Sequence, residues 1–273
     1  AAISTVSDKE LLKAPTMSIS NVVGARIAGV AAVQSSGQPG SDNATLTMRG
    51  QTGIVYVIDG IRRTSADFNG LDPNEIESVS ILKDASAVAV YGLDANGVFI
   101  VTTKQGKEGP PTVRYSFSGT LSRKPRYSDR NVNVMNSAER VAYSREILEK
   151  KMEYGDKNTW IGYEKAFEDY RNGLMTFEQF QQQTEYYETL DTDWFDVLCR
   201  DAFSHTHSLS FSGGSKTAKY YASVGYNRQN GVLQKEFGDR YTASMKVTLN
   251  YDRFNATFDL KGNVQKQEHT PSD

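Results

Sequence analysis

The 273-residue chain lacks most of the features that announce a chemistry. A single cysteine, Cys199, excludes an internal disulfide framework and gives no evidence of redox work. No run of about 18 apolar residues occurs and mean hydropathy is −0.53, which argues against a helical membrane protein. The same test is silent on β-barrels, whose strands alternate and average out. A net charge of −2 gives no electrostatic bias toward nucleic acid or anionic lipid. Neither G-x-S-x-G nor H-E-x-x-H is present, and GLDANG at 92–97 lacks the following Gly-Lys-Ser/Thr of a phosphate loop. The opening AAISTVSDKELLKAP has no basic segment and no apolar stretch of signal-peptide kind, so the chain is expected to be mature, truncated or cytoplasmic. At the other end KQEHTPSD follows directly on a strand-like pattern, which suggests a fragment.

Residues with metal-binding or acid–base potential are sparse. His205 and His207 flank Thr206, so strand alternation puts both on one face, but no carboxylate or cysteine cluster lies nearby in sequence. They read as aromatic-belt or surface histidines. Asp191, Asp193 and Asp196 lack the glycine and terminal glutamate of a calcium loop and read as a capped loop. No catalytic, cofactor-binding or metal-binding residue is assigned.

What is present divides into two grammars. Residues 1–107 read as α/β. SISNVVGARIAGV at 18–30 has the pattern of a short helix, and VQSSGQPGSDNA at 33–44 is turn-rich. IVYVIDG at 54–60 is a buried strand ended by Asp-Gly, and LDPNEIESVSILKD at 71–84 is a helical turn followed by a strand over Val79–Leu82. DASAVAVYG at 84–92 is a short helix capped by Asp84, and NGVFIVTTKQG at 96–106 is a turn and a strand.

From residue 112 the period changes to two. In TVRYSFSGTLS at 112–122, Val113, Tyr115, Phe117 and Leu121 share one face and Arg114, Ser116, Ser118 and Thr120 the other. Residues 203–212, 219–228, 241–251 and 254–265 repeat the pattern. Five such segments of about ten or more residues have the length of transmembrane β-strands, against five or six for soluble ones. Their connections alternate: GGSK at 213–216 and Asp252-Arg253 are short, 123–202 and 229–239 are long. Barrels with tight turns on one side and long loops on the other are built this way, which puts 123–202 outside. That insert is itself helical: Asn136 and Glu139 have capping-box spacing, Trp160, Tyr163, Phe167 and Tyr170 form a helical stripe, and Thr176 with Gln179 opens a third helix.

The ordered strings IAGV, SSGQPG, MRG, YVIDG, DPNEIESVSILKDASAVAVYG and ANGVFIVTTKQG resemble the plug of SusC/RagA-family TonB-dependent outer-membrane transporters. DTDWFDVL, HSLSFSGG and KYYASVGY resemble the start of that family's barrel, so the resemblance covers nearly the whole chain. Leu93-Asp94 after YG, and the compressed loop Arg49–Gly53, depart from the pattern. The implied fold class is mainly β: an α+β plug domain at 1–107, then the first antiparallel strands of a large transmembrane β-barrel at 108–273, with a helical extracellular insert at 123–202. Five strands cannot close a barrel; plugged transporters have about 22.

The resemblance implies a non-enzymatic importer of oligosaccharides or peptides across the bacterial outer membrane. Its implied partners are TonB, through a segment upstream of Ala1, a SusD-like surface lipoprotein and outer-membrane lipid; nucleic acid is not one. A non-transporting receptor or adhesin that binds through the insert is the alternative. Substrate would meet outer plug loops, with Gln38, Ser41, Asp42, Asn43, Arg62, Arg63, Asp67 and Asn69 as candidates. Arg49, Asp59, Glu75, Glu77, Lys83 and Asp84 are candidates to pair with the polar inner wall.

Overall fold

A computed structural model describes residues 3–13, 18–48, 50–83, 91, 96–152 and 161–269. The chain forms two compact units, one of residues 1–123 with 201–273 and one of residues 124–200.

In the first unit a mixed five-stranded sheet is built from β1 (Ile3–Ser7), β4 (Ile54–Ile58), β5 (Ile61–Arg63), β6 (Ile76–Leu82) and β7 (Gly97–Thr103). The strand order is β1-β6-β7-β4-β5, and β4 and β7 run parallel. Four or more consecutive apolar residues in β4 make sense in that setting, because a parallel strand is buried on both faces. Val55 and Val57 pack with Val98 on one side; Tyr56 and Ile58 join the larger core on the other. That larger core holds Leu11 of α1 (Asp8–Leu11), Ile19, Val22 and Val23 of α2 (Ile19–Arg26), together with Phe68 of α3 (Ser65–Asn69). Tyr56, Phe68 and Phe99 meet with ring centroids 4.8–5.8 Å apart. A separate hairpin pairs β2 (Val30–Val33) with β3 (Thr45–Met48).

The helix expected over 18–30 ends at Arg26, because Ile27 turns extended and Gly29 takes φ +85° to start β2. The strand expected from Val79 begins three residues earlier, at Ile76, directly after a 3₁₀ turn (Pro73–Glu75) capped by Asp72. All of the helix expected at 84–92 except residue 91 lies outside the described residues, as do Trp160 and Arg49.

The second sheet is a meander of β8 (Gly109–Ser122), β9 (Ala202–Gly214), β10 (Ala218–Asn230), β11 (Phe237–Tyr251) and β12 (Phe254–Glu268). All five expected strands are present and run 13–15 residues. The 229–239 linker shrinks to 231–236, since β10 and β11 stay paired from Asn227↔Arg240 to Asn230↔Phe237 after the alternation fades. Register keeps like faces together: Val224 lies opposite Leu209 and Ala243, and Met245 opposite Ala222 and Leu260. The apolar face is exposed (Val113 61%, Val224 53%, Phe258 65%), so these residues do not build a globular core. The polar face carries the first sheet.

Residues 124–200 hold α4 (Ser137–Glu149), α5 (Gly162–Arg171), α6 (Phe177–Glu188) and α7 (Trp194–Leu198). Asn136–Glu139 and Thr176–Gln179 form the expected capping boxes. The aspartates read as a capped loop instead start a helix: the Asp193 carboxylate accepts from the Phe195 and Asp196 amides. Tyr163, Phe167 and Tyr170 of the aromatic stripe pack on Phe180, so the stripe is helix packing.

Phe99 is fully buried at the meeting point of three rings. Phe99→Ala is expected to cost about 3–5 kcal/mol through lost contacts and a residual cavity. Protease resistance of residues 3–104 in the folded protein, followed against urea, measures this; an unchanged midpoint contradicts the packing described.

Candidate functional site

The functional geometry lies where the first sheet meets the polar face of the second. Asp59 is the second residue of the Ile58–Ile61 turn that joins β4 to β5, with φ +50° followed by Gly60 at +84°. Both central residues at positive φ define the hairpin turn that Asp-Gly favours. The strained corner is held by β7: the Asp59 amide donates to the Val101 carbonyl at 2.9 Å, and the Asp59 carboxylate accepts from the Thr103 amide at 2.9 Å and hydroxyl at 2.5 Å.

Two lysines of the second sheet close on that carboxylate. Lys246 of β11 reaches it at 3.1 Å and Lys261 of β12 at 2.9 Å, while Asp259 sits 3.1 Å from Lys261 and 3.9 Å from Lys246. Lys246 is 5% exposed. A buried ammonium is tolerable only when paired and hydrogen-bonded, and it has Asp59, Asp259 and the Thr103 hydroxyl. Burial alone pushes the Asp59 carboxyl up, but the Thr103 hydroxyl and amide and the Lys261 ammonium outweigh it and hold the group well below the usual carboxylate range.

A second contact has the opposite electrostatics. Glu75, 4% exposed, accepts from the Ser223 hydroxyl of β10 at 2.6 Å. Burial raises its pKa, the Ser223 hydrogen bond opposes, and neighbouring Asp72 adds to the rise. Asp72 can lie against β10 because position 225 is glycine: a Cβ there would lie 2.7 Å from the Asp72 carboxylate. Of the other residues expected to pair with the wall, Glu77 is exposed and Lys83 bonds within the first sheet's own layer, to Ser4 and the Ala28 carbonyl.

Toward the β12 end that carries Gln265 and Gln267, the 36–43 loop meets the wall. Gln229 donates to Asp42 at 3.3 Å and accepts from the Gly40 amide at 3.0 Å, Gln265 donates to the Gly40 carbonyl at 2.6 Å, and Ser41 donates to Gln267 at 3.3 Å. Arg240 donates to the Asn69 carbonyl at 3.3 Å. Between these contacts is a cleft of about 370 Å³, lined by Asp42, Asn43 and Asn69 on one side and Gln229, Arg240 and Asn263 on the other. The Asn69 side-chain oxygen is buried there without a hydrogen-bond partner.

The structure thus brings Asp42, Asn43 and Asn69 to one cleft, with Ser41 bonded beside them. It places Gln38, Arg62 and Arg63 on exposed surface, and commits Asp67 to capping α3 through Thr64. Lys246, Lys261, Arg240 and Asn263 were not singled out from sequence. The signal was available: alternation puts Lys246 on the Ser/Thr face of β11, where a lone lysine demands a partner. His205 and His207 do share a face, with rings 5.1 Å apart, and the Tyr115 hydroxyl lies 2.7 Å from His207 Nδ1.

Comparison with known proteins fits this geometry. Residues 1–98 match the model of the TonB-dependent Receptor Plug Domain. The TonB-dependent receptor SusC of Bacteroides thetaiotaomicron is 28% identical over the whole chain, which aligns to 25% of SusC. Residues 1–98 thus match the TonB-dependent receptor plug, and the whole chain is similar to SusC and other TonB-dependent receptors. A TonB-dependent receptor of Formosa agariphila is 30% identical over 91% of the chain and 21% of its own length. The chain therefore spans about a quarter of the length of the curated relatives it matches. Among solved structures, the RagAB peptide importer in its open-open state superimposes with a TM-score of 0.76 at 23% identity, over 99% of this chain and 31% of that one. The siderophore receptor PirA from Acinetobacter baumannii gives 0.56 at 15%, over 98% and 32%. These relatives are receptors and transporters, not enzymes, and their family resides in the outer membrane. The first sheet with its helices is the plug, and β8–β12 are the opening strands of the wall.

Two predictions follow from the plug–wall chemistry. Asp59→Asn leaves the buried Lys246 underpaired and is expected to cost about 3–5 kcal/mol of plug docking; Asp59→Asn with Lys246→Met should recover part of it. Protease protection of the plug reads both, and equal loss in single and double variants contradicts the pairing. Glu75 has the opposite pH sign to Asp59. A carboxyl whose folded pKa is raised binds its proton more tightly when folded, so its contribution is full below the unfolded value of about 4.3 and is lost as pH rises through the folded value. Plug protection should therefore hold or increase on mild acidification, while Asp59 stays charged, and Glu75→Gln should flatten that dependence. A steady loss of protection from neutrality downward that survives in Glu75→Gln would show that other groups govern it.

Proposed function

We propose that this chain supplies the gate and first wall strands of an outer-membrane importer for oligosaccharides or peptides. The observation that carries the reading is the two-faced wall: an apolar face fit for lipid, and a polar face whose buried lysine is neutralised by a plug aspartate. Residues 1–107 act as the stopper and 108–273 as wall, with the helical insert on the outer side, as the parity of short and long connections favours. Substrate meets the cleft of Asp42, Asn43, Asn69, Arg240 and Asn263, whose amides, guanidinium and unpartnered Asn69 oxygen suit hydroxyl- or amide-rich oligomers. TonB supplies the energy by pulling on chain N-terminal to the plug sheet, and a SusD-like lipoprotein closes the outer mouth. The similarity to SusC, and the fold shared with the RagAB peptide importer, support this class of cargo and partner.

Uptake of labelled oligosaccharides and peptides by cells carrying the full receptor, with and without TonB, tests the reading. Uptake should require TonB, and Arg240→Ala should lower it roughly tenfold, the effect of losing about 1.4 kcal/mol of binding. TonB-independent binding to the surface with no uptake would favour a non-transporting receptor instead. The membrane side has its own check. Val224→Arg places a cation on the exposed apolar face and should cost about 2–4 kcal/mol if that face meets lipid near the midplane; unaltered outer-membrane insertion and heat stability would contradict it.

A further inference from the structure

Two imidazoles have no part in the plug–wall contacts. His205 and His207 lie two residues apart on β9, an inner strand between β8 and β10. Residues so spaced on a strand have backbones about 6.6 Å apart. Their ring centroids are only 5.1 Å apart, so the rings lean together, and ring planes 75° apart exclude a face-to-face stack.

Each ring has one nitrogen left for a ligand. His207 Nδ1 lies 2.7 Å from the Tyr115 hydroxyl of β8. When Nδ1 donates to that oxygen, Nε2 carries the lone pair; a hydrogen bond on one ring nitrogen is what orients the other toward a metal. His205 Nδ1 is buried without a hydrogen-bond partner, which leaves its Nε2 as the open nitrogen. Phe117 packs on His207 with centroids 5.0 Å apart, and Tyr226 lies 5.7 Å from His205, so aromatic rings wall the pair.

Register places the pair at a boundary. On this face β10 carries Tyr220, Ala222, Val224 and Tyr226 before its first charge, Arg228, which lies opposite both His205 and Asp239. Charged groups are costly in hydrocarbon, so the His205 row is where the apolar face gives way to water. The Arg228 charge is answered by Asp239 at 3.3 Å and by the Phe237 ring at 4.9 Å.

We propose that His205 and His207 form a divalent-metal site on the face of the wall turned away from the plug, with Tyr115 as its positioning residue. An ion held about 2.1 Å from one nitrogen of each ring, at a tetrahedral angle, sets the ring centroids about 5 Å apart. The spacing found is 5.1 Å. Imidazole ligands select Zn²⁺, Cu²⁺ or Ni²⁺ over Ca²⁺ and Mg²⁺. Among the described residues no group of three or more histidines, cysteines and carboxylates gathers, so the remaining positions belong to water or to donor atoms of a solute, and the ion exchanges. The site is independent of the importer reading.

The test uses the full receptor without a polyhistidine tag, purified in detergent and titrated with Zn²⁺ or Cu²⁺ by calorimetry. His205→Ala and His207→Ala should each weaken one site at least tenfold, and Tyr115→Phe should weaken it several-fold. His269→Ala, which removes the third histidine of this chain, should leave it unchanged, and excess Mg²⁺ should not displace the ion. Electron paramagnetic resonance of the Cu²⁺ form should show coupling to two imidazole nitrogens in wild type and to one in either single variant. His205→Gln and His207→Gln keep size and polarity on the exposed face and should reproduce the loss in protein whose heat stability is unchanged. Unaltered affinity and nitrogen coupling in the His205 and His207 variants, an equal fall in His269→Ala, or displacement by Mg²⁺ overturns the site.

Discussion

A strand that alternates strictly has two faces of opposite polarity, and five such strands in register make a sheet that must stand between two different environments. In β8–β12 the apolar face is left exposed, and the plug packs on the polar face, burying Tyr221 and Ser223 of β10 and Lys246 of β11. That inverts the usual arrangement of a soluble sheet, in which the apolar face is the covered one. The rest follows from this constraint. A polar face can be covered only by a partner that answers its charges, so Lys246 and Lys261 require Asp59, and Ser223 finds Glu75. The plug in turn needs a corner rigid enough to aim a carboxylate, which the positive-φ Asp-Gly turn and its bonds to Val101 and Thr103 supply.

Much of this was legible in the residues. Period-two alternation fixed all five wall strands, because a sheet with unlike faces records its register in every second side chain. Capping boxes fixed two insert helices, since their signals are local. The short elements were harder: β1 at Ile3–Ser7, β5 at Ile61–Arg63 and α3 at Ser65–Asn69 have three to five residues, too few for any period to show. They exist because the neighbouring strands and the Phe68 pocket hold them. The candidate site was legible in part for the same reason. Loop composition pointed to Asp42, Asn43 and Asn69, but Arg62, Arg63 and Asp67 share that composition and face elsewhere. Their separation depends on a hairpin and a cap, which are matters of three-dimensional placement. The wall's half of the cleft, Arg240 and Asn263, joins the plug's half only through contacts more than 150 residues apart in sequence.

The two acidic contacts divide the labour. Asp59 is held charged and clamps the plug to β11 and β12, whereas Glu75 is buried with a raised proton affinity and is held by the hydroxyls of Ser223 and Ser244. The ionic attachment of Asp59 to Lys246 and Lys261 seats the plug sheet against β11 and β12. The cleft of Asn69, Arg240 and Asn263 is lined by the same strands, β10 to β12, that anchor the plug.

The central claim is that the wall's exposed apolar face meets lipid while its other face meets the plug. Spin labels placed one at a time on Tyr221 through Gly225 of β10, in the full receptor reconstituted into bilayers, test it through collisions with oxygen, which concentrates in lipid. The account predicts an alternating profile, high at Ala222 and Val224 and low at Tyr221, Ser223 and Gly225. A flat profile, or one with the opposite phase, would contradict it.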